Sequence, residues 1–147
     1  MTDAQRRTLA ELSDQAIDAF LSQGEPDPSA DRTRLAAGSL QGYGGAIAAT
    51  SDDDSAFSHR SALVEFVAST GWTDPAEDDQ RMGAARQFGA AIEPFASGVY
   101  VNVLGDEGES GVRRAYPAGK LNRLARLKQR YDPDNVFHHN QNVRPEQ

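Results

Sequence analysis

One apolar stripe in the second half of the chain constrains the fold most. Its members recur at the three- and four-residue spacing of one helix face: Met82, Ala85, Phe88, Ala91, Ile92 and Phe95. The preceding Thr73-Asp74-Pro75 is typical of a helix start, because Thr73 or Asp74 can cap the free amides of the first turn. A helix with such a face must bury it, so the chain must supply a second layer.

The stretch just before this helix predicts that second layer. In Ser61–Ser69 (SALVEFVAS), Val64, Phe66 and Ala68 point to one side, while Leu63, Glu65, Val67 and Ser69 point to the other. Side chains alternate between the two faces of a strand, so the run predicts a strand with one well-buried face.

Three further elements complete the expected fold. A helix is predicted by Leu9, Leu12, Ala16, Ile17, Phe20 and Leu21, with Ser13 as a possible internal start and Gly24 as the stop. After the linker-like tract Gly24–Arg32, GGAIAAT is the most strand-like part of a glycine-rich region. Leu121, Leu124, Leu127 and Tyr131 predict a last helix, ended by a turn at Asp132-Pro133-Asp134-Asn135. The expected class is α+β, an antiparallel sheet covered on one face by helices.

The segment Gly98–Leu104 predicts another strand and a candidate site. Val99, Val101 and Val103 would form its core face, while the opposite face would carry Tyr100, Asn102 and Leu104. A phenol and an amide on one face must meet partners, water or a ligand. The amide-rich tail around Gln141 follows Val136-Phe137, which we expect to anchor it.

Composition excludes several functional classes. With 147 residues, of which 38% are hydrophobic, the chain is long enough for one domain with a real core. Its net charge of −7 repels phosphate backbones, which argues against nucleic acid as a partner. No apolar run approaches the ~20 residues of a membrane span, and the start lacks a secretory signal. We therefore expect a cytoplasmic protein without membrane contact.

No motif for metal or hydrolytic chemistry stands out. The chain has no cysteine, and His138-His139 would point to opposite sides of an extended segment, so no metal site is expected. The cluster Gly42, Gly44 and Gly45 resembles a phosphate-binding loop only loosely, and no GxSxG nucleophile motif is present.

Three motifs nevertheless carry a family resemblance. GVYVNVLGDEGE, RLARLKQRYDPDNVF and NQNV follow one another with suitable gaps, and residues 98–143 strongly resemble the carboxyl-terminal segment of FAD-linked oxidases of the berberine bridge enzyme type. The earlier pieces GGAIA, AFSHRSALVEF, GWTDPAEDDQ and IEPFASG look like the substrate domain of the same family. The resemblance implies that residues 1–147 form a partial substrate domain.

The resemblance also implies a site. In that family, an antiparallel sheet backed by helices lies over the reactive face of the flavin. The resemblance places four residues near the isoalloxazine ring as cofactor-binding residues: Tyr100, Asn102, Asn140 and Gln141. Several members have a tyrosine base where this chain has Val103. An aliphatic side chain cannot take a proton, so Val103 is expected to line the substrate, and no catalytic residue is assigned.

Two hypotheses about function follow from this resemblance. In the first, the chain is the substrate-domain and carboxyl-terminal portion of an FAD-dependent oxidoreductase that acts on a small molecule and is inactive alone. The flavin-binding domain is expected to be absent from these residues, so that FAD and a flavin-binding domain or subunit come from elsewhere. In the second, the chain is a free-standing small-molecule-binding module or a homodimer.

Overall fold

The computed structural model describes residues 1–24, 36–105, 107–139 and 141–146. In chain order its elements are β1 (Thr2–Leu9), α1 (Asp14–Gly24), β2 (Ala37–Gly42), α2 (Ala46–Ala49), β3 (Val64–Gly71), α3 (Asp78–Ile92), α4 (Gly108–Ala115) and α5 (Ala118–Tyr131). Single 3-10 turns lie at Asp52–Asp54, Pro75–Glu77, Glu93–Phe95 and Val101–Val103. Most of the predicted linker Gly24–Arg32 lies outside the described residues.

The three strands form one antiparallel sheet in the order β1-β3-β2. Strand β3 is central and pairs with β1 from Thr2↔Gly71 to Leu9↔Val64. Its other edge pairs with β2, beginning at Ala37↔Ser69. The expected α+β class with an antiparallel sheet is confirmed, and β3 lies within three residues of its predicted bounds.

Helices α1 and α3 pack on one face of this sheet. The rings of Phe20, Phe66 and Phe88 meet there, with centroids 5.1 to 6.1 Å apart. Phe66 and Ala68 are fully buried, which confirms the core face predicted for β3. Burying each large apolar side chain contributes roughly 1.5–3 kcal/mol, so this cluster holds the helices on the sheet. Within the described residues, α1 and α3 thus cover this face of the sheet, as the sequence predicts.

The predicted helix starts are confirmed in detail. The Asp74 carboxylate accepts a hydrogen bond of 3.0 Å from the amide of Ala76 at the start of the turn that leads into α3. Ser13 Oγ accepts from the amide of Ala16, 3.3 Å away, and α1 ends at Gly24. Small polar side chains therefore fix where both helices begin.

Two expectations for the first third of the chain are wrong. Leu9 belongs to the unpredicted strand β1, where it is buried against the helices. GGAIAAT is not a strand, because Gly44 and Gly45 adopt positive φ and turn the chain into the short helix α2. The edge strand is formed instead by the preceding residues of β2. There Gly38 leaves room for the rings of Phe20 and Phe88, since an added β-carbon would lie 2.6 Å from Phe88 Cζ.

The predicted strand at Gly98–Leu104 is also absent. Gly98 makes one isolated bridge to Thr8, and the chain then turns into a 3-10 helix at Val101–Val103. The cause is a second small core. Val99 and Leu104 are both buried in it with Ala115, and a spacing of five residues cannot place two side chains on one face of a strand.

The carboxyl-terminal third is helical. Helix α5 confirms the predicted last helix, whereas α4 was not predicted. Residues Asp132–Asn135 form the predicted turn, with Asn135 at φ 51. None of the helices formed by the described residues is both long and apolar enough to cross a bilayer.

Candidate functional site

The sheet face opposite the helices carries a polar cluster near the start of its central strand. Glu65 is the second residue of β3 and is only 3% exposed. Its Oε2 atom is 3.4 Å from Nη1 of Arg6, a residue of β1. A carboxylate so far removed from water needs a positive partner, and Arg6 supplies one. Neither residue was singled out from the sequence. A lone Glu inside an otherwise apolar strand is the signal that could have found it.

Tyr43 extends this cluster from the end of β2. Its backbone amide donates a hydrogen bond of 2.8 Å to the carbonyl oxygen of Leu63, which ties it beside β3. Burial raises the pKa of Tyr43 to about 12, and the charge of Glu65, a hydrogen bond to Glu65 and the neighbouring Tyr100 add to the shift. The phenol therefore keeps its proton at neutral pH, next to a carboxylate that can accept it.

Aromatic rings connect this cluster to the predicted site. The ring centroids of Tyr43 and Phe57 are 6.2 Å apart, and those of Phe57 and Tyr100 are 5.3 Å apart. The Arg60 guanidinium lies 5.0 Å from the Phe57 ring centroid, a distance typical of cation–π contacts. The result is a row of rings that runs from the strand end to the 3-10 turn.

The structure brings Tyr100 and Asn102 together, although not on a strand. Asn102 Nδ2 donates a hydrogen bond of 2.7 Å to Tyr100 Oη across the 3-10 turn. Asn102 is exposed and Tyr100 is half-buried. The amide and phenol thus form one joint polar edge at the surface, and the half-buried Val103 ends the same turn.

The tail approaches this turn through one of its amides. Gln141 Nε2 donates hydrogen bonds of 2.9 Å to the carbonyl oxygens of both Leu104 and Gly105. These bonds hold the tail beside the residues that follow Val103. Asn140 lies outside the described residues.

The expected anchor of the tail is wrong. Val136 and Phe137 are 62% and 81% exposed, so they do not hold the tail by burial. The Asp132 carboxylate does so instead, because it accepts hydrogen bonds of 2.7 and 3.1 Å from the backbone amides of these two residues. Lys128 Nζ also donates to the Phe137 carbonyl oxygen, at 2.6 Å.

The histidine pair also differs from the expectation. The rings of His138 and His139 do not point to opposite sides, because their centroids are 4.4 Å apart. His138 Nδ1 lies 2.9 Å from the carbonyl oxygen of Asn135, within the preceding turn. Among the residues that the structure describes, no group of three or more metal-ligating side chains could hold a metal ion.

A histidine behind Tyr100 positions the 3-10 turn. His59 adopts a φ of 61, unusual for a residue with a side chain, and its ring lies against the backbone of Gly98. His59 Nε2 is 2.9 Å from the carbonyl oxygen of Arg114 in α4. Lys120 Nζ donates to the Phe57 carbonyl oxygen at 2.8 Å. The loop that carries Phe57 is therefore fixed to both carboxyl-terminal helices.

The arrangement fits the edge of a planar heteroaromatic ring. A row of aromatic side chains offers stacking surface, and the exposed Asn102 amide offers both a donor and an acceptor. The buried Glu65, paired with Arg6, adds one group that can take a proton. These residues suit the ring of a flavin.

Comparisons with known proteins identify the relatives of this chain. Residues 99–144 match the family model described as "Berberine and berberine like". The chain is 29% identical over 103 residues to "Uncharacterized FAD-linked oxidoreductase YvdP" of Bacillus subtilis, which covers 70% of this chain and 23% of that protein. It is 31% identical over 125 residues to "Aclacinomycin-N/aclacinomycin-A oxidase" of Streptomyces galilaeus, covering 73% of this chain and 23% of that protein.

A solved structure shares the fold. The wild-type berberine-bridge-enzyme-like protein 1 of Physcomitrella patens superposes with a TM-score of 0.83 at 19% identity, over 100% of this chain and 31% of that one. The chain therefore spans about a quarter to a third of the length of the relatives that it matches.

Proposed function

Because the chain corresponds to the carboxyl-terminal part of FAD-linked oxidases of the berberine bridge enzyme family, we propose that it forms the substrate-pocket wall over the flavin ring of such an enzyme. FAD, held by a flavin-binding domain or subunit, would supply the redox chemistry by accepting a hydride from a small-molecule substrate. The observation that carries this proposal is the joint polar edge of Tyr100 and Asn102 at the end of a row of aromatic rings.

Asn102 would orient the flavin ring in this arrangement. Its Nδ2 donates a hydrogen bond to Tyr100 Oη, which fixes the plane of the amide. The direction of the Asn102 carbonyl oxygen is then fixed as well. Gln141 would act indirectly, because its side-chain amide donates hydrogen bonds to the backbone that follows the 3-10 turn. We place Asn140 with this group on the family resemblance alone.

Val103 would line the substrate without taking a proton. The groups of this cluster that can accept one are Tyr43 and Glu65. A proton leaving a substrate hydroxyl would pass to Tyr43 Oη as the phenolic proton moves to the Glu65 carboxylate, so no phenolate accumulates. Arg6 Nη1 lies 3.4 Å from Glu65 Oε2 and would pair with this carboxylate.

Reconstitution tests this proposal. The chain is mixed with the separately expressed flavin-binding part of a berberine-bridge-type oxidase, and the flavin absorption band is recorded. We expect the band to shift on mixing, and the shift to be lost in Asn102→Ala. Asn122→Ala, which removes an exposed amide on α5, is the matched control and should behave as the unmodified chain. A complex whose spectrum is the same for both variants would contradict the assigned role.

The exposed carboxyl-terminal surface favours a second candidate, a homodimer or free-standing binding module. Tyr131 is 73% exposed and lies near Val136 and Phe137 in sequence, so three large apolar side chains face solvent within seven residues. Sedimentation of the chain alone separates the two candidates. A stable dimer that dissociates in Phe137→Ser would support the module, whereas a monomer would support the pocket wall.

A further inference from the structure

Helix α5 has one half-buried side and one exposed side. The half-buried side recurs at the three- and four-residue spacing of a helix face: Leu121, Leu124, Ala125 and Lys128. The exposed side has the same spacing, and we call it the outward stripe: Arg123, Arg126, Leu127, Arg130 and Tyr131. Within the described part of the chain, no residue of this 14-residue helix is fully buried. Helices in proteins owe most of their stability to packing, so α5 keeps surface for a further partner.

The charge of α5 is entirely positive. Its sequence carries five basic side chains and no acidic one. Both of its lysines form ion pairs inside the chain. Arg126 and Arg130, in contrast, form no ion pair with any residue that the structure describes. The whole chain has 22 acidic side chains and a net charge of −7, yet it leaves these guanidiniums without a carboxylate. They are therefore available to the carboxylates of another molecule.

Apolar side chains lie between and beside these arginines. Leu127 and Tyr131 are exposed on the same stripe, and the Arg130 guanidinium lies 5.3 Å from the Tyr131 ring centroid. The hydrogen bond from Lys128 Nζ to the Phe137 carbonyl oxygen holds the exposed Phe137 beside this helix. Arginine and aromatic residues are enriched where protein interfaces gain most of their binding energy. The outward stripe thus has the composition of a docking surface for a protein.

A second copy of this chain fits the outward stripe poorly. In a two-fold dimer, the same surface of each copy faces the other, so arginines would meet arginines. The helix offers no carboxylate to balance them. An anionic membrane is disfavoured for a different reason, because the net charge of −7 repels it. The partner that fits is a protein surface rich in carboxylates.

The length of the relatives indicates which protein this is. The chain spans about a quarter to a third of their length, so most of such an enzyme lies outside these residues. A pocket wall stays over a flavin only if a stable interface holds it to the flavin-binding part. The tail that carries Phe137 is also tied to the residues after the 3-10 turn, through the hydrogen bonds of Gln141. The outward stripe is therefore connected to the polar edge of Tyr100 and Asn102.

We propose that the outward stripe of α5, together with Phe137, docks on an acidic surface of the flavin-binding part. The inference rests on the proposed function, because it takes the flavin-binding part as the partner. The guanidiniums of Arg126 and Arg130 pair with carboxylates of that part. Leu127, Tyr131 and Phe137 pack against apolar surface between those carboxylates.

A linked protein tests this docking. A flexible linker joins the flavin-binding part of a berberine-bridge-type oxidase to the amino terminus of this chain, so that each part meets the other at an effective concentration on the order of millimolar. Phenylglyoxal then modifies accessible arginines, and mass spectrometry follows each site. Arg126 and Arg130 should react about tenfold more slowly than in the chain alone. Arg113, an exposed arginine of α4, is the internal control and should react equally in both forms.

The flavin absorption band of the same sample reports on the proposed function separately. Equal reactivity of Arg126 and Arg130 in the linked protein and in the chain alone would overturn the docking surface, even where the flavin band shows its Asn102-dependent shift. Protection of these arginines without that shift would support the docking surface and contradict the pocket wall. The two failures are therefore distinguishable.

Salt and a variant test the chemistry of the contact. Protection of Arg126 and Arg130 in the linked protein should weaken as the salt concentration rises, because ions screen pairs of exposed charges. Protection that does not change with salt would contradict an acidic partner surface. In Tyr131→Ala, the reactivity of both arginines should approach that in the chain alone. Leu21→Ala removes an exposed apolar side chain on α1 and is the matched control, with protection retained.

Two further results would assign the outward stripe to another partner. Binding of the chain alone to phosphatidylserine vesicles, lost in the double variant Arg126→Gln and Arg130→Gln, would assign it to a membrane surface. Sedimentation of the chain alone as a dimer that Tyr131→Ala dissociates would assign it to a second copy. Either result would overturn the proposal, which predicts a monomer that does not bind these vesicles.

Discussion

The imidazole ring of His59 lies so close to the backbone of Gly98 that a β-carbon on Gly98 would overlap its ring atoms. His59 is itself held in the left-handed region and bonded to the backbone of α4. Two segments far apart in sequence thus meet at a contact that only glycine permits. Gly98 lies two residues before Tyr100, so the contact positions the polar edge formed by Tyr100 and Asn102.

We predict that Gly98→Ala destabilises the fold. The new methyl group would force the His59 ring to move, and such overpacking costs about 1–3 kcal/mol in the free energy of unfolding. Urea denaturation measures this. The matched control is Gly83→Ala on the exposed side of α3, where an added β-carbon meets nothing within 4 Å. There we expect stabilisation by up to about 1 kcal/mol. Equal effects of the two substitutions would contradict the contact.

We predict that stability falls in alkali through Tyr43. Its folded-state pKa of about 12 lies above the ordinary tyrosine value of 10.0, so its contribution to stability is complete below pH 10 and is lost as the pH rises toward 12. In Tyr43→Phe, the free energy of unfolding should depend less steeply on pH between 10 and 12. An unchanged slope would show that Tyr43 titrates as a free phenol.

We predict that Glu65→Gln lowers the pKa of Tyr43. The substitution removes the negative charge that opposes phenolate formation, although burial remains as the largest cause of the shift. Tyrosinate absorbance near 295 nm follows the titration, and Tyr43→Phe identifies which transition belongs to this residue. Glu77→Gln is the control, because Glu77 bonds Arg81 on α3. A Tyr43 transition that moves equally in both variants would disprove the interaction between Tyr43 and Glu65.

We predict that acid weakens the link between β1 and α4 through Glu93. Burial alone would raise the pKa of this carboxyl, but ion pairs with Arg7 and Arg114 outweigh it and hold the pKa below its ordinary value. Its contribution is complete above about pH 4.5 and is lost as the pH falls through the lowered pKa. The loss of stability in acid should therefore be shallower in Glu93→Gln, as measured by urea denaturation between pH 5 and 3. A slope identical to that of the unmodified chain would contradict the pairing.

We predict that Asp132 controls the order of the tail. A hydrogen bond from Lys128 holds the pKa of Asp132 below its usual range, so the carboxylate is ionised when it accepts from Val136 and Phe137. In Asp132→Ala, exchange of those two amide protons should accelerate about tenfold. Asp134→Ala, at an exposed carboxylate of the same turn, is the control. Similar exchange in both variants would contradict the role given to the Asp132 carboxylate.

The sequence predicts the core better than it predicts the site. The stripe of α3 and the buried face of β3 follow from local periodicity, and both are confirmed. The strands predicted at GGAIAAT and at Gly98–Leu104 are wrong. In the first, the positive φ angles of Gly44 and Gly45 turn the chain into a helix. In the second, burial of Val99 and Leu104 in a second core overrides the alternation. β1 was missed because it alternates poorly and is defined by its pairing with β3.

The site depends on contacts that local patterns do not contain. Tyr100 and Asn102 were found because an alternating segment drew attention to them, although they meet across a helical turn. Glu65 and Tyr43 lie 22 residues apart, and only the sheet brings them together. His59 acts through Gly98, which no periodicity reveals.

The most direct test of the proposed function is a measurement of proximity to the flavin. The isotope-labelled chain is combined with the flavin-binding part of a berberine-bridge-type oxidase, and intermolecular nuclear Overhauser effects from the isoalloxazine protons are recorded. The proposal predicts contacts to the Tyr100 ring and the Asn102 amide. Contacts confined to the exposed surface at Tyr131 and Phe137, with none to Tyr100 or Asn102, would contradict it.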